Sequence, residues 1–129
     1  MEAAAQDWAG EGADGMTPAD VDHIDPVESK RRVDAGALLL DVRNPNEWQA
    51  GHAEGAAWIP MRELAERQEE LPTDREILVI CKTGSRSAQV AQALVAAGYG
   101  AVNVAGGSEA WQAAGMAIVT DDGQPGTVA

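Results

Sequence analysis

Phenylalanine is absent from this sequence, and cysteine occurs once, as Cys81. A lone cysteine excludes an intrachain disulfide and suits a reducing compartment. Only two histidines, His23 and His52, accompany it. The nitrogen and sulfur ligand set of a structural zinc site is therefore missing, and no metal is expected. The large aromatic positions fall to Trp8, Trp48, Trp58, Trp111 and Tyr99. Cations are scarce as well: 9 Lys and Arg stand against 21 Asp and Glu, a net charge of -12. Such an acidic surface repels phosphate backbones, so nucleic acid is not an expected partner. No apolar run approaches the roughly 20 residues of a membrane-spanning helix, so no membrane partner is expected. The N-terminus has no basic region followed by an apolar stretch. No signal peptide is visible, and the expected location is cytoplasmic. No internal repeat occurs. No G-x-G-x-x-G follows a strand candidate, so a dinucleotide is not implied and no cofactor is expected.

What remains is a chain of 129 residues, the size of one domain. Residues 1–28 hold eight acids and no Lys or Arg. Residues 1–17 read as an acidic, mobile arm. Residues 18–120 read as the folded domain, and 121–129, rich in Gly, Pro and Asp, as a loose tail.

Within the domain, short apolar runs alternate with helical segments. Val21–Ile24 is a short strand candidate. Asp25, Pro26 and Glu28 form a helix start, and Gly36 a stop. Ala37–Val42 is a nearly continuous apolar run, as expected of a strand buried on both faces. Asn44-Pro45-Asn46-Glu47 repeats the start signal, and Gly51 ends that helix. Ala57–Ile59 is a third strand. Arg62–Glu70 is predicted as a helix with Leu64 and Leu71 inward, closed by Pro72. Ile77–Ile80 is the strongest strand, Ser87–Ala97 a small-residue helix, and Ala101–Val104 a fifth strand. Ser108 is predicted to cap a last helix through Ala114. This alternation predicts an α/β fold, a parallel sheet with helices on both faces.

In such a sheet, ligands bind beyond the carboxyl ends of the strands. Cys81 stands there, followed by Lys82, Thr83, Gly84, Ser85, Arg86 and Ser87. The start of the next helix presents free N–H groups and partial positive charge. Gly84 lets the backbone fold into an anion nest. Lys82 and Arg86 add full charge, and Thr83, Ser85 and Ser87 add hydroxyl donors. The same surroundings lower a thiol pKa, so one arrangement binds an anion and activates a nucleophile. The alternative, that Cys81 is a small hydrophobe at a strand end, accounts for the cysteine but not for the residues behind it.

Over about residues 18–120 the chain resembles the rhodanese homology domain. The N-terminal half matches through Leu40-Asp41-Val42-Arg43, Glu47-Trp48, Gly51-His52, Gly55-Ala56 and Ile59-Pro60. The centre matches through Cys81, Gly84 and Arg86, and the C-terminal half through Gly106-Gly107, Trp111 and Gly115. The resemblance implies a five-stranded parallel sheet. It implies that Cys81 takes sulfane sulfur from a donor such as thiosulfate and passes it to an external acceptor: cyanide, a thiol or a protein. The backbone from Lys82 to Ser87 would hold the persulfide, and Lys82 and Arg86 the donor's sulfonate. The competing expectations are a relay module that acts only when docked on a partner protein, and a cysteine phosphatase. The loop has one residue too few for the phosphatase signature.

Asp41, Arg43 and Glu47 are expected to support the loop, with Asp41 and Arg43 paired either to it or to Glu47. His52 is expected to be a hydrogen-bonded structural residue, and no catalytic argument attaches to His23. Trp48, Trp58 and Trp111 are expected in the core or at its rim.

Overall fold

The structure, a computed structural model, describes residues 21–129. The acidic arm expected over 1–17 lies outside the described residues. Five parallel strands make the main sheet: β1 (His23–Ile24), β2 (Leu38–Asp41), β4 (Ala57–Trp58), β5 (Ile77–Ile80) and β6 (Ala101–Val104), in the order β1-β6-β5-β2-β4. Among the described residues the α-helices are α1 (Pro26–Asp34), α2 (Pro45–Ala50), α3 (Ser85–Ala96) and α4 (Gly107–Ala113). The α/β class and the five-stranded parallel sheet are as predicted.

The central strands are apolar because both their faces are covered. Leu40, Val42, Ile77 and Val79 pack with Val90 and Leu94 of α3 and with Leu64 and Leu71. Leu39, Leu78, Ile80 and Val104 pack on the other face with Trp111 of α4, backed by Val33 of α1. All four side chains of β5 are fully buried, each burial contributing roughly 1.5–3 kcal/mol. This rigid strand delivers the chain to Cys81.

Four expectations are corrected. Arg62–Glu70 is not an α-helix. It makes 3₁₀ turns at Met61–Glu63 and Gln68–Glu70 joined by further turns, although Leu64 and Leu71 do point inward. A nine-residue run with two apolar anchors has too little packed face to hold an α-helix. Helix α3 begins at Ser85, not Ser87, so Ser85 and Arg86 belong to its first turn. The N-cap of α4 is Gly106, at φ 76°, rather than Ser108. The tail beyond Thr120 is tied down rather than loose. Gly126 N–H donates to Ile118 O at 2.8 Å and Thr127 N–H to Ala50 O at 2.9 Å. That tail follows a pair unseen in the sequence, β3 (His52–Ala53) antiparallel to β7 (Ile118–Val119).

Candidate active site

Cys81 leaves the carboxyl end of β5 and the chain turns at once into α3. Gly84 closes the turn at φ 105°, a left-handed conformation that favours glycine. The turn aims donors at the sulfur: Gly84 N–H at 3.1 Å, Ser87 N–H at 3.3 Å and Ser87 Oγ at 3.3 Å from Sγ. Burial pushes the Cys81 thiol up. Hydrogen bonds from the Ser87 hydroxyl and from the N–H groups of Ser87, Gly84 and Thr83 outweigh it, and the net shift is downward. The start of α4 clamps the loop from behind. Ser108 N–H donates to Cys81 O at 2.7 Å and Glu109 N–H to Lys82 O at 3.1 Å. The approach is so close that a Cβ on Gly107 would collide with both carbonyl oxygens.

The cations divide. Arg86 places Nη1 and Nη2 each 2.9 Å from the two carboxylate oxygens of Glu47 on α2, a bidentate pair. Glu47 Oε1 also accepts the Asn44 N–H at 2.9 Å. The Arg86 hydrogen bonds hold the Glu47 carboxyl below its ordinary range against the opposing effect of burial. Lys82, half-buried, forms no ion pair with any described residue. Thr83 and Ser85 are exposed on the outer side of the loop, and Ser87 is buried beneath it.

Asp41 and Arg43, both fully buried, pair with each other and not with the loop or Glu47. Arg43 Nε lies 3.0 Å from Asp41 Oδ1, and its Nη2 lies 2.9 Å from Oδ2 and 2.7 Å from Gly51 O. His52 is hydrogen-bonded, as expected. Its Nδ1 lies 3.1 Å from Trp48 O, and its ring stacks on Trp48 at 3.4 Å, which in turn stacks on Trp58 at 5.3 Å. Among the described residues no cluster of His, Cys, Asp and Glu could hold a metal.

Asn103, which the sequence did not single out, joins the site together with His23, to which no catalytic argument attached. Asn103 Oδ1 lies 2.6 Å from Ser87 Oγ, and Asn103 Nδ2 lies 3.0 Å from His23 Nδ1. The available signal was one amide in an otherwise apolar strand.

A buried thiol ringed by N–H donors at a helix N-terminus, on the carboxyl edge of a parallel sheet, defines a candidate cysteine nucleophile. The family comparison agrees with the fold: the Rhodanese-like domain model matches residues 25–114, and the chain belongs to that family. A "Sulfurtransferase" of Allochromatium vinosum is 39% identical over 67% of this chain and 81% of its own length. A "Probable adenylyltransferase/sulfurtransferase MoeZ" of Mycobacterium tuberculosis is 39% identical over 81% of this chain, which spans only 26% of that longer protein. The crystal structure of a rhodanese-related protein from Thermoplasma volcanium superposes with a TM-score of 0.73 at 32% identity, covering 78% of this chain and 99% of that one.

Proposed function

We propose that this chain is a sulfurtransferase working through a Cys81 persulfide, with thiosulfate or a related compound as donor. Sulfur transfer as a class is supported by the family and by relatives named sulfurtransferases. The observation that carries the finer reading is the ring of donors around Sγ at 3.1–3.3 Å, which stabilises a thiolate and then an anionic persulfide. The thiolate attacks the outer sulfur of thiosulfate, the S–S bond breaks, and sulfite leaves with the electron pair. An external thiophile then attacks the terminal sulfur, and the Cys81 thiolate leaves. Lys82, unpaired among the described residues, is the cation for the departing sulfite. Arg86, held by Glu47, shapes the loop and supplies background charge.

Incubation with thiosulfate is expected to give an intact mass heavier by one sulfur atom, reversed by cyanide and absent in Cys81→Ser. Thiosulfate:cyanide activity retained by Cys81→Ser would refute the assignment.

A second reading is a relay module that exchanges sulfur only when docked on a partner. It is favoured by the MoeZ relative, in which the matched region is a minor part of a longer adenylyltransferase/sulfurtransferase. Persulfide formation from thiosulfate without any partner argues against it.

A further inference from the structure

Helix α2 has only six residues, and a helix so short has little stability of its own in water. Its orientation matters nonetheless, because it carries Glu47, the bidentate partner of Arg86 in the first turn of α3. Hydrogen bonds to Glu47 push Arg86 above its ordinary range against the effect of burial, and the charge of Cys81 adds to them. Arg86 is thus near enough to the sulfur for their charges to interact. Where it points depends on where α2 holds Glu47.

The far end of α2 is held by the C-terminal tail, which lies beyond the residues 25–114 that the family model matches. Thr127 N–H donates to Ala50 O at 2.9 Å and so satisfies a carbonyl that the helix leaves without an internal partner. Asp121 Oδ1 accepts the Trp48 indole N–H at 3.0 Å and stands 3.6 Å from His52 Nε2. Between these two contacts the tail closes on itself: Thr120 N–H donates to Gln124 O at 2.8 Å, and Val119 bridges Pro125. Val128 packs its end onto the core cluster that holds Trp111. The two backbones meet closely where they cross. A Cβ on Gly51 would stand 2.6 Å from Thr127 N, and one on Gly126 would stand 2.8 Å from Gly51 Cα. Packing this close transmits a shift of the tail to α2 instead of absorbing it. We propose that Asp121 and Thr127 are positioning residues for the Cys81 loop: the tail holds α2 so that Glu47 aims Arg86. It acts through Glu47 and not by contact with the reacting atoms.

The inference rests on Cys81 as the nucleophile, but its test needs no sulfur donor. The experiment is a double-mutant cycle in the full chain, read as the pH midpoint of Cys81 alkylation by iodoacetamide. Asp121→Ala removes the Trp48 bond at a side chain that is 71% exposed, so no buried void is left. It leaves Asp41, Glu47, Lys82 and Arg86, the charged groups around the loop, in place. The midpoint is expected to rise, with about threefold less thiolate below it, the scale of one net hydrogen bond. Losing a negative charge would by itself favour the thiolate and lower the midpoint, so the expected shift has the opposite sign. Thr127→Pro deletes the other donor and is expected to raise the midpoint at least as far. Asp121→Asn still presents an acceptor to the indole and is expected to bring the midpoint back to the parent value or below it. On a Glu47→Ala background neither Asp121→Ala nor Thr127→Pro is expected to raise the midpoint further. A general loosening of the fold would act alike on both backgrounds. Equal rises on both therefore overturn the proposal, as does no rise on either, or an Asp121→Asn variant no better than Asp121→Ala. An intact coupling in a protein that takes no sulfur from any donor would sink the sulfurtransferase reading alone.

Discussion

Lys82 and Arg86 carry the same formal charge and sit four residues apart, yet their surroundings give them different work. The guanidinium of Arg86 is committed to a carboxylate through two 2.9 Å bonds, whereas the Lys82 ammonium has no ionic partner among the described residues. A committed cation holds geometry, and an uncommitted one can meet a charge that appears during reaction. Lys82→Ala is therefore expected to lower kcat/KM for thiosulfate on the order of 10²-fold and to affect an uncharged persulfide donor far less. Equal losses with both donors, measured in parallel steady-state assays, would mean that Lys82 only shapes the loop. At this scale much was legible in the sequence. Cys81, Lys82, Gly84 and Ser87 fall within one seven-residue stretch, and their chemistry follows from being next to a strand end. Asn103 was not legible, because its link to Ser87 exists only through the pairing of β5 with β6, which sets Asn103 against Val79. No spacing along the chain encodes that contact.

Between elements, the Glu47–Arg86 pair joins α2 to the first turn of α3 and so fixes one side of the loop. The Glu47 carboxyl is held low in the folded chain, chiefly by Arg86. A depressed carboxylate contributes stability that is fully present above its ordinary pKa and is lost as pH falls through its lowered value. Glu47→Gln is expected to cost about 1 kcal/mol at neutral pH and to flatten the loss of stability on acidification across that window, measured by thermal unfolding at a series of pH values. A variant that still loses stability as steeply as the parent would show that the pair contributes nothing. The start of α1 was legible, since Asp25 caps it through the Glu28 N–H at 2.8 Å and Pro26 follows at the first position, whereas the glycine-led starts of α3 and α4 were misplaced by two residues. The strand pair β3–β7 was not legible, because two-residue strands show no period and their partners lie more than sixty residues apart. The 61–70 segment misled for a related reason. Its helix-forming residues speak to local preference, while the shape is set by where Leu64 and Leu71 must reach the core.

For the molecule as a whole, the proposed persulfide on Cys81 would have no second thiol among these 129 residues to resolve it, so on that reading the acceptor is expected from outside them. Donor and acceptor then approach a chain of net charge -12 whose positive charge is concentrated in few places, one of them the loop. At about 0.01 M salt the Debye length is about 30 Å, so an approaching dianion feels the sum of the molecule's charge, which repels it. At about 0.15 M it shrinks to about 8 Å, and the same dianion feels mainly what lies near the mouth, where Lys82 is free to attract it. The two fields have opposite signs, and salt removes the repulsive one first because it acts from farther away. With acceptor saturating, kcat/KM for thiosulfate is therefore expected to rise about threefold between those two salt concentrations, while an uncharged donor shows no trend. Stopped-time assays in potassium chloride at constant pH measure both. A fall for thiosulfate would mean that attraction by Lys82 already governs encounter at low salt, and that the acidic surface is turned away from the path the donor takes.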